Sequence, residues 1–309
     1  MILSVSRRTD IPAFYGAWFI DRLKDGKFYV KNPYNENVVS LIEVNSDNLD
    51  CIVFWTKDAI NFMQYLNIIN ELNYEYYFHY TINPYHNEIE PLKHSKNDII
   101  ENFIELSNLI GKERVILRYN PIIMSEKYSI NYHLHAFKKL CSTLKGKTEK
   151  IVISSLDNYS KINKILKNNA LRSPNNNELA ILCQKFKEIA FENEMELTIC
   201  ADQFDASEFG INKNSCIDKK LIERITNKKV INDTLDKTRA ECLCLKCIDI
   251  GAYNTCQMGC VYCYAGYKQI IDHDFSALLL NDEIKDKEIK VRKDVKSILE
   301  SEKQIIFEF

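Results

Sequence analysis

The sequence contains no run of 18 apolar residues, so it has nothing long enough to serve as a membrane-spanning helix. The opening Met1-Ile2-Leu3-Ser4-Val5-Ser6 meets Arg7-Arg8 too soon to form the apolar core of a signal peptide. Those arginines lead into the polar, turn-like Thr9-Asp10-Ile11-Pro12, which a twin-arginine export signal does not have. A cytoplasmic location is therefore expected. A charge excess is also missing: 41 Lys+Arg face 43 Asp+Glu, for a formal net charge of -2. That balance gives no broad basic footprint, so charge does not indicate nucleic acid as a partner, although a local basic groove is compatible with it. Glycine is scarce, with eight residues and no two adjacent, which excludes a double-glycine ligand loop. There is no internal repeat, and the only compositional bias is toward Lys, Asn and Ile.

Short runs rich in Val, Ile, Tyr and Phe alternate with longer stretches of helical periodicity. Strands are expected at Ile2 to Ser6, Cys51 to Thr56, Tyr76 to Ile82, Val115 to Tyr119, Lys150 to Ser155 and Glu196 to Ala201. Helices are expected at Asp58 to Asn73, Asp98 to Ile110, Tyr132 to Lys145 and Asn177 to Asn193, with Asp58 and Asp98 as N-caps. This rhythm predicts an α/β fold with a parallel sheet. Several strands end in polar or Pro-bearing runs such as Ser6-Arg7-Arg8-Thr9-Asp10 and Arg118-Tyr119-Asn120-Pro121. In parallel α/β barrels the carboxyl strand ends carry the site. Residues 1–205 read as the main body. A connector over 206–247 includes a short helix at Lys219 to Thr226, and a cysteine-bearing segment spans 248–268. A charged tail fills 269–309, in which 281–296 reads as a solvated helix or flexible segment.

Eleven cysteines are many for a reducing compartment, where structural disulfides are disfavoured, and six of them crowd into Cys242 to Cys263. Metal ligation or thiol chemistry is the expected use. Cys256, Cys260 and Cys263 form a CxxxCxxC spacing. Three thiolates on one compact loop can each hold one iron of a 4Fe-4S cube and leave the fourth iron without a protein ligand. Zinc prefers a closed set of four ligands, commonly two CxxC pairs, and fits this triplet poorly.

The run Cys256-Gln257-Met258-Gly259-Cys260-Val261-Tyr262-Cys263 resembles the signature of the radical S-adenosylmethionine (SAM) superfamily. The resemblance implies a cluster whose open iron takes SAM and reductively cleaves it, with Tyr262 packed near the adenine and flavodoxin or ferredoxin as electron donor. In that superfamily the triplet follows the first barrel strand, whereas here it lies near the C-terminal end of the sequence. The implied architecture is a partial TIM-type (β/α) barrel, circularly permuted so that Ile248 to Asn254 is the first strand and Ile2 to Ser6 the second. The Gly-Gly-Glu type motif that holds the SAM amino group is absent. Ser6, Arg7 and Asp10 are expected in its place, Asp10 toward the amino group and an arginine toward the carboxylate. Arg118 and Asn120 lie in a segment that looks like the Arg-bearing strand ends of spore photoproduct lyase-like proteins, so they join the cofactor-binding set. Taken whole, the chain resembles an uncharacterised bacterial family, a domain of unknown function with a C-terminal radical SAM-like cysteine cluster. The substrate is not indicated.

A second metal site is expected at Cys200, Cys216, Cys242 and Cys244, either a saturated 4Fe-4S cluster or zinc, with Cys247 the alternative ligand and buried free thiols the competing reading. Two functional alternatives stand beside the enzyme: a non-catalytic iron-sulfur sensor or electron carrier, and a zinc-bearing nucleic-acid-binding protein. Weaker signals are Trp55 and Lys57 at a strand end, His79 inside an aromatic strand, His133 with His135 two apart on a helix, and Asp202 and Asp205 as unpaired acids.

Overall fold

The computed structural model describes residues 1–157, 159–236, 241–266, 278–280 and 284–300. Its centre is an eight-stranded sheet made of β1 (Ile2–Val5), β4 (Cys51–Thr56), β5 (Tyr76–Thr81), β6 (Val115–Ile122), β7 (Lys150–Ser155), β8 (Glu196–Ile199), β9 (Asn212–Lys213) and β10 (Ile248–Asp249). The order is β10-β1-β4-β5-β6-β7-β8-β9, and every neighbouring pair is parallel. The chain belongs to the α/β class. β9 and β10 end the sheet on opposite sides and do not pair with each other, so among the described residues the sheet is open and no barrel closes.

All six expected strands are present within two or three residues of their expected bounds. A hairpin escaped the reading, β2 (Lys27–Asn32) against β3 (Asn35–Glu43), and β11 (Glu288–Val291) joins it parallel to β3. β11 corrects the expected helix or flexible segment over 281–296, of which 281–283 lies outside the described residues. The strand is exposed throughout and alternates charge with apolar side chains, so its composition imitates a solvated element.

Helices α1 (Ile11–Phe14), α2 (Gly16–Asp25), α3 (Leu66–Glu71), α4 (Lys96–Ile110), α5 (Ile130–Thr143), α6 (Asn163–Asn168), α7 (Asn176–Glu192) and α8 (Lys219–Thr226) make the connections. The helix expected from Asp58 begins instead as a 3-10 turn, Ile60–Tyr65, and becomes α-helical only in α3. Asp98 is not an N-cap. Ser95 caps α4 and Asp98 returns the bond three residues later, a reciprocal capping box.

Alternation along the strands sorts their side chains onto two faces. Leu3, Val5, Ile52, Phe54, Phe78, Leu117, Ile151 and Leu197 meet Phe19, Phe103, Phe137 and Phe186 from the helices in the main core. Within it Phe54 stacks on Phe78 at 4.6 Å and Phe137 on Phe186 at 3.9 Å. The opposite face shows Ile2, Val53, Tyr77, Ile116 and Val152, and it is covered by Ile217, Ile222 and Ile225 of the α8 region together with Cys216, Cys244 and Leu245. A third cluster at the carboxyl strand ends gathers Tyr85, Ile89, Ile123, Tyr128, Leu156, Met258, Cys260 and Tyr262.

β10 is held to β1 chiefly through one carboxylate. Asp249 accepts Ser4 Oγ at 2.9 Å, Ser6 Oγ at 2.6 Å, and the backbone N–H groups of Arg7 at 2.8 Å and Gly251 at 3.0 Å. Gly251 fits because it has no side chain: a Cβ there would lie 1.9 Å from Ser6 Oγ. Removing the carboxylate strands these donors, and hydrogen bonds to a charged group contribute roughly 1.5–3 kcal/mol each. Asp249→Ala should lower the unfolding free energy by about 3 kcal/mol, measured by urea denaturation, while Asp47→Ala on the exposed loop before β4 should change it by less than about 0.5 kcal/mol.

Candidate functional site

The CxxxCxxC loop leaves β10 and is sewn to the N-terminal segment. Thr9 Oγ1 donates to Ala252 O at 2.7 Å, the Tyr15 hydroxyl donates to Thr255 O, and Tyr264 Oη donates to Arg7 O at 3.0 Å. Asn254 N–H reaches Ala265 O at 2.7 Å and closes the loop on itself, while Val261 N–H binds Ile89 O at 3.0 Å. Gly259 sits at φ +72, a conformation side chains resist, and this turns the chain immediately before Cys260. The loop thus lies over the carboxyl ends of the strands, with Cys256, Cys260 and Cys263 together in the third apolar cluster.

Cys256 lies close to the Asp10 and Met258 backbone. Burial pushes the Cys256 thiol up to about 12, and burial likewise raises Cys260, whose nearest cation is Lys57. Lys57 belongs to a buried polar network. Its ammonium and that of Lys96 both donate to Glu90, which is 1% exposed, and the Tyr262 hydroxyl donates to the same carboxylate. Burial alone would raise the Glu90 carboxyl, but the two ammonium groups outweigh it and hold the group down to about 2. Asn83 Nδ2 reaches both Glu90 Oε1 and Tyr262 Oη at 3.2 Å, and Asn83 Oδ1 accepts from Asn120 N–H at 2.8 Å.

The expected cofactor set therefore separates. Asn120 and Tyr262 lie in this network, Tyr262 as a buried anchor packed edge-on against Tyr85. Asp10 stands beside Cys256, where its carboxylate accepts Lys57 N–H at 2.7 Å and Ala13 N–H at 3.1 Å; burial pushes it up to about 7. Ser6 ties β1 to Asp249. Arg7 and Arg118 turn elsewhere. Arg7 donates to Asp236 at 3.0 Å and to Cys247 Sγ at 2.9 Å, and Arg118 donates to Cys216 Sγ at 3.1 Å. Both guanidinium groups lie over the Trp55 ring, at 5.9 and 5.3 Å.

Cys200, Cys216, Cys242 and Cys244 come together at that second place, against the sheet face opposite the main core. Cys200 Sγ lies 3.2 Å from Cys216 Sγ, the Cys216 N–H donates to Cys244 Sγ at 3.2 Å, and Cys242 stands two residues before Cys244. Hydrogen bonds from Cys200 and Cys244 hold the Cys216 thiol well below its ordinary value despite burial, with Arg118 adding to the effect. His79 Nε2 donates to Cys216 O at 2.8 Å and its ring stacks on Trp55 at 4.4 Å; burial pushes it down to about 4, so it is neutral, and its Nδ1 has no partner. Among the described residues, no group of three or more His, Cys, Asp or Glu side chains is arranged so that it could hold a metal ion as it stands. Of the weaker candidates, His133 is a core residue between Tyr119 Oη and Ile123 O, and Asp202 accepts from Ser155.

Residues 2–265 match the family described as Domain of unknown function (DUF1848). The chain belongs to the DUF1848 family. No curated protein matches it, and no solved structure does. Among its described residues no helix is long and apolar enough to cross a membrane.

Glu90, Lys96 and Asn83 were missed by sequence reasoning, because nothing local marks a carboxylate that answers two lysines and a tyrosine from separate segments. Replacing it breaks a buried charge pair rather than a surface one, a loss that typically costs about 3–5 kcal/mol. Glu90→Gln should destabilise this DUF1848 chain by about 3 kcal/mol in chemical denaturation, whereas Glu88→Gln, in an exposed pair with Lys127, should leave the denaturation midpoint essentially unchanged.

Proposed function

We propose that this DUF1848 chain is a radical SAM enzyme whose 4Fe-4S cluster is held by Cys256, Cys260 and Cys263. The observation that carries the reading is the position of the triplet: three thiols on one loop, directly after a parallel strand, at the carboxyl end of the sheet. In this reading β10 is the first strand of a circularly permuted partial barrel and β1 the second, supported by their parallel pairing at the sheet edge. Sites in parallel α/β proteins lie at that end.

The donor set fits the group. Three cysteines on one buried, largely apolar loop suit a cube with one open iron. When bound, the cluster supplies one electron to the sulfonium of SAM at that open iron, with flavodoxin or ferredoxin as the reductant. The chain's own residues do the rest. Lys57, facing Cys260 and held by Glu90, is the cation best placed to bind the SAM carboxylate, a role the sequence had assigned to Arg7 or Arg118. Asp10 and Asn120 offer oxygen acceptors on the same side. The proposed location is the cytoplasm, and the substrate class is left open by the site.

The test is anaerobic reconstitution with iron and sulfide, then dithionite and SAM, with 5′-deoxyadenosine as the readout. The wild-type chain should form it and Cys260→Ala should not. A cluster that assembles and is reduced while SAM stays intact would replace the enzyme with an iron-sulfur sensor or carrier. Lys57→Met should keep the iron content of the wild type and weaken SAM binding about tenfold, equivalent to about 1.4 kcal/mol, measured by equilibrium dialysis.

A further inference from the structure

The second cysteine group is assembled with more care than buried free thiols require. Its members come from three stretches of chain: Cys200 just after β8, Cys216 after β9, and the Cys242-Leu243-Cys244 pair from the covering segment. Backbone bonds hold these stretches in register. Leu245 N–H donates to Ile217 O at 3.0 Å, Asp236 N–H to Cys244 O at 2.8 Å, and Ser215 Oγ to Leu243 O at 2.9 Å. The sulfurs meet as a result.

Donors then surround them. Cys216 and Ile217 N–H both point at Cys244 Sγ, at 3.2 and 3.4 Å. Cys216 Sγ takes Asn214 Nδ2 at 3.2 Å and Arg118 Nη1 at 3.1 Å. Neutral thiols are poor acceptors and do not call for a buried guanidinium and an amide, whereas thiolate ligands of a metal do, since such bonds orient them and offset their charge. Four thiolates on a dication leave two negative charges. Arg118 and Arg7, both over Trp55, are the cations on that side.

We infer that Cys200, Cys216, Cys242 and Cys244 bind one zinc-class divalent metal ion in a closed tetrahedral thiolate site. The close approach of two of the sulfurs favours a single ion over a second cluster. A tetrahedron with metal–sulfur bonds of about 2.3 Å has sulfur–sulfur edges of about 3.8 Å, and the Cys200 and Cys216 sulfurs lie 3.2 Å apart. A cube must hold its four cysteines apart around a body of irons and sulfides, a separation that this pair does not have. Cys247 is outside the set: among the described residues its sulfur meets Arg7 at 2.9 Å and no hydrogen bond joins it to another of the cysteines. A closed site of this kind is structural. It fastens the covering segment, which carries the α8 region, over the second face of the sheet.

The inference is independent of the SAM reading and is tested with the first triplet removed. The full chain carrying Cys256→Ala, Cys260→Ala and Cys263→Ala is purified and its metals are measured. It is then stripped and titrated with Co²⁺. About one zinc per chain and a one-equivalent Co²⁺ spectrum with tetrahedral thiolate bands are expected. Adding Cys216→Ser or Cys242→Ser should abolish both, while adding Cys247→Ser should leave both intact. Circular dichroism checks each variant for folding, and the half-buried Cys242 decides the matter if Cys216→Ser unfolds. A folded chain that takes up neither metal overturns the inference. So does iron with matching sulfide retained on the triplet-free chain, or a Cys200–Cys216 disulfide found by mass spectrometry.

Discussion

Everything at the carboxyl end of the sheet depends on a single buried carboxylate. Asp249 takes two serine hydroxyls and two backbone N–H groups and so binds the cysteine-bearing segment to the first strand of the chain. Only two residues of β10 pair with β1, so the ladder itself contributes little. The Asp249 bonds, the Thr9 and Tyr15 contacts and the close approach at Gly251 give the loop its seat.

The two thiol groups occupy different surroundings, and the difference is chemical. The triplet rests among tyrosines and aliphatic side chains at the strand ends, with a lysine–glutamate–tyrosine network next to it and acidic and amide oxygens within reach. The set of four lies against the other face, beside Arg118 and Trp55 of the strands and Arg7. There the Cys200 and Cys216 sulfurs meet each other and Cys244 takes two N–H groups.

Much of the fold was legible because a buried parallel strand announces itself as a short apolar run, as Cys51 to Thr56 does. The β2 and β3 hairpin mixes Lys, Asn and Glu with its apolar residues, and β11 is a wholly exposed strand that takes its partner from a distance local pattern cannot express. Asp98 looked like a cap because an acid at a helix start is ordinary, but Ser95 was three residues earlier and forms the better-defined box. The cysteines were legible as sets because their spacing is chemical information in itself. Arg7 and Arg118 were legible as strand-end candidates for a carboxylate but not in direction: in the structure both turn to thiols. Glu90 was invisible, since its importance lies wholly in groups brought from other segments.

The strand order also has a temporal side. β1 is made well before β10, yet the two are neighbours in the sheet. A chain still emerging from the ribosome can align β1, β4, β5, β6, β7 and β8 in turn, but the outer edge of β1 keeps its backbone donors and acceptors open until residue 248 appears. Such edges invite pairing with other chains. The protein therefore passes through a stage in which most of its core is complete and one edge is still unprotected, and the cysteine segment that ends that stage is the same one that delivers the triplet.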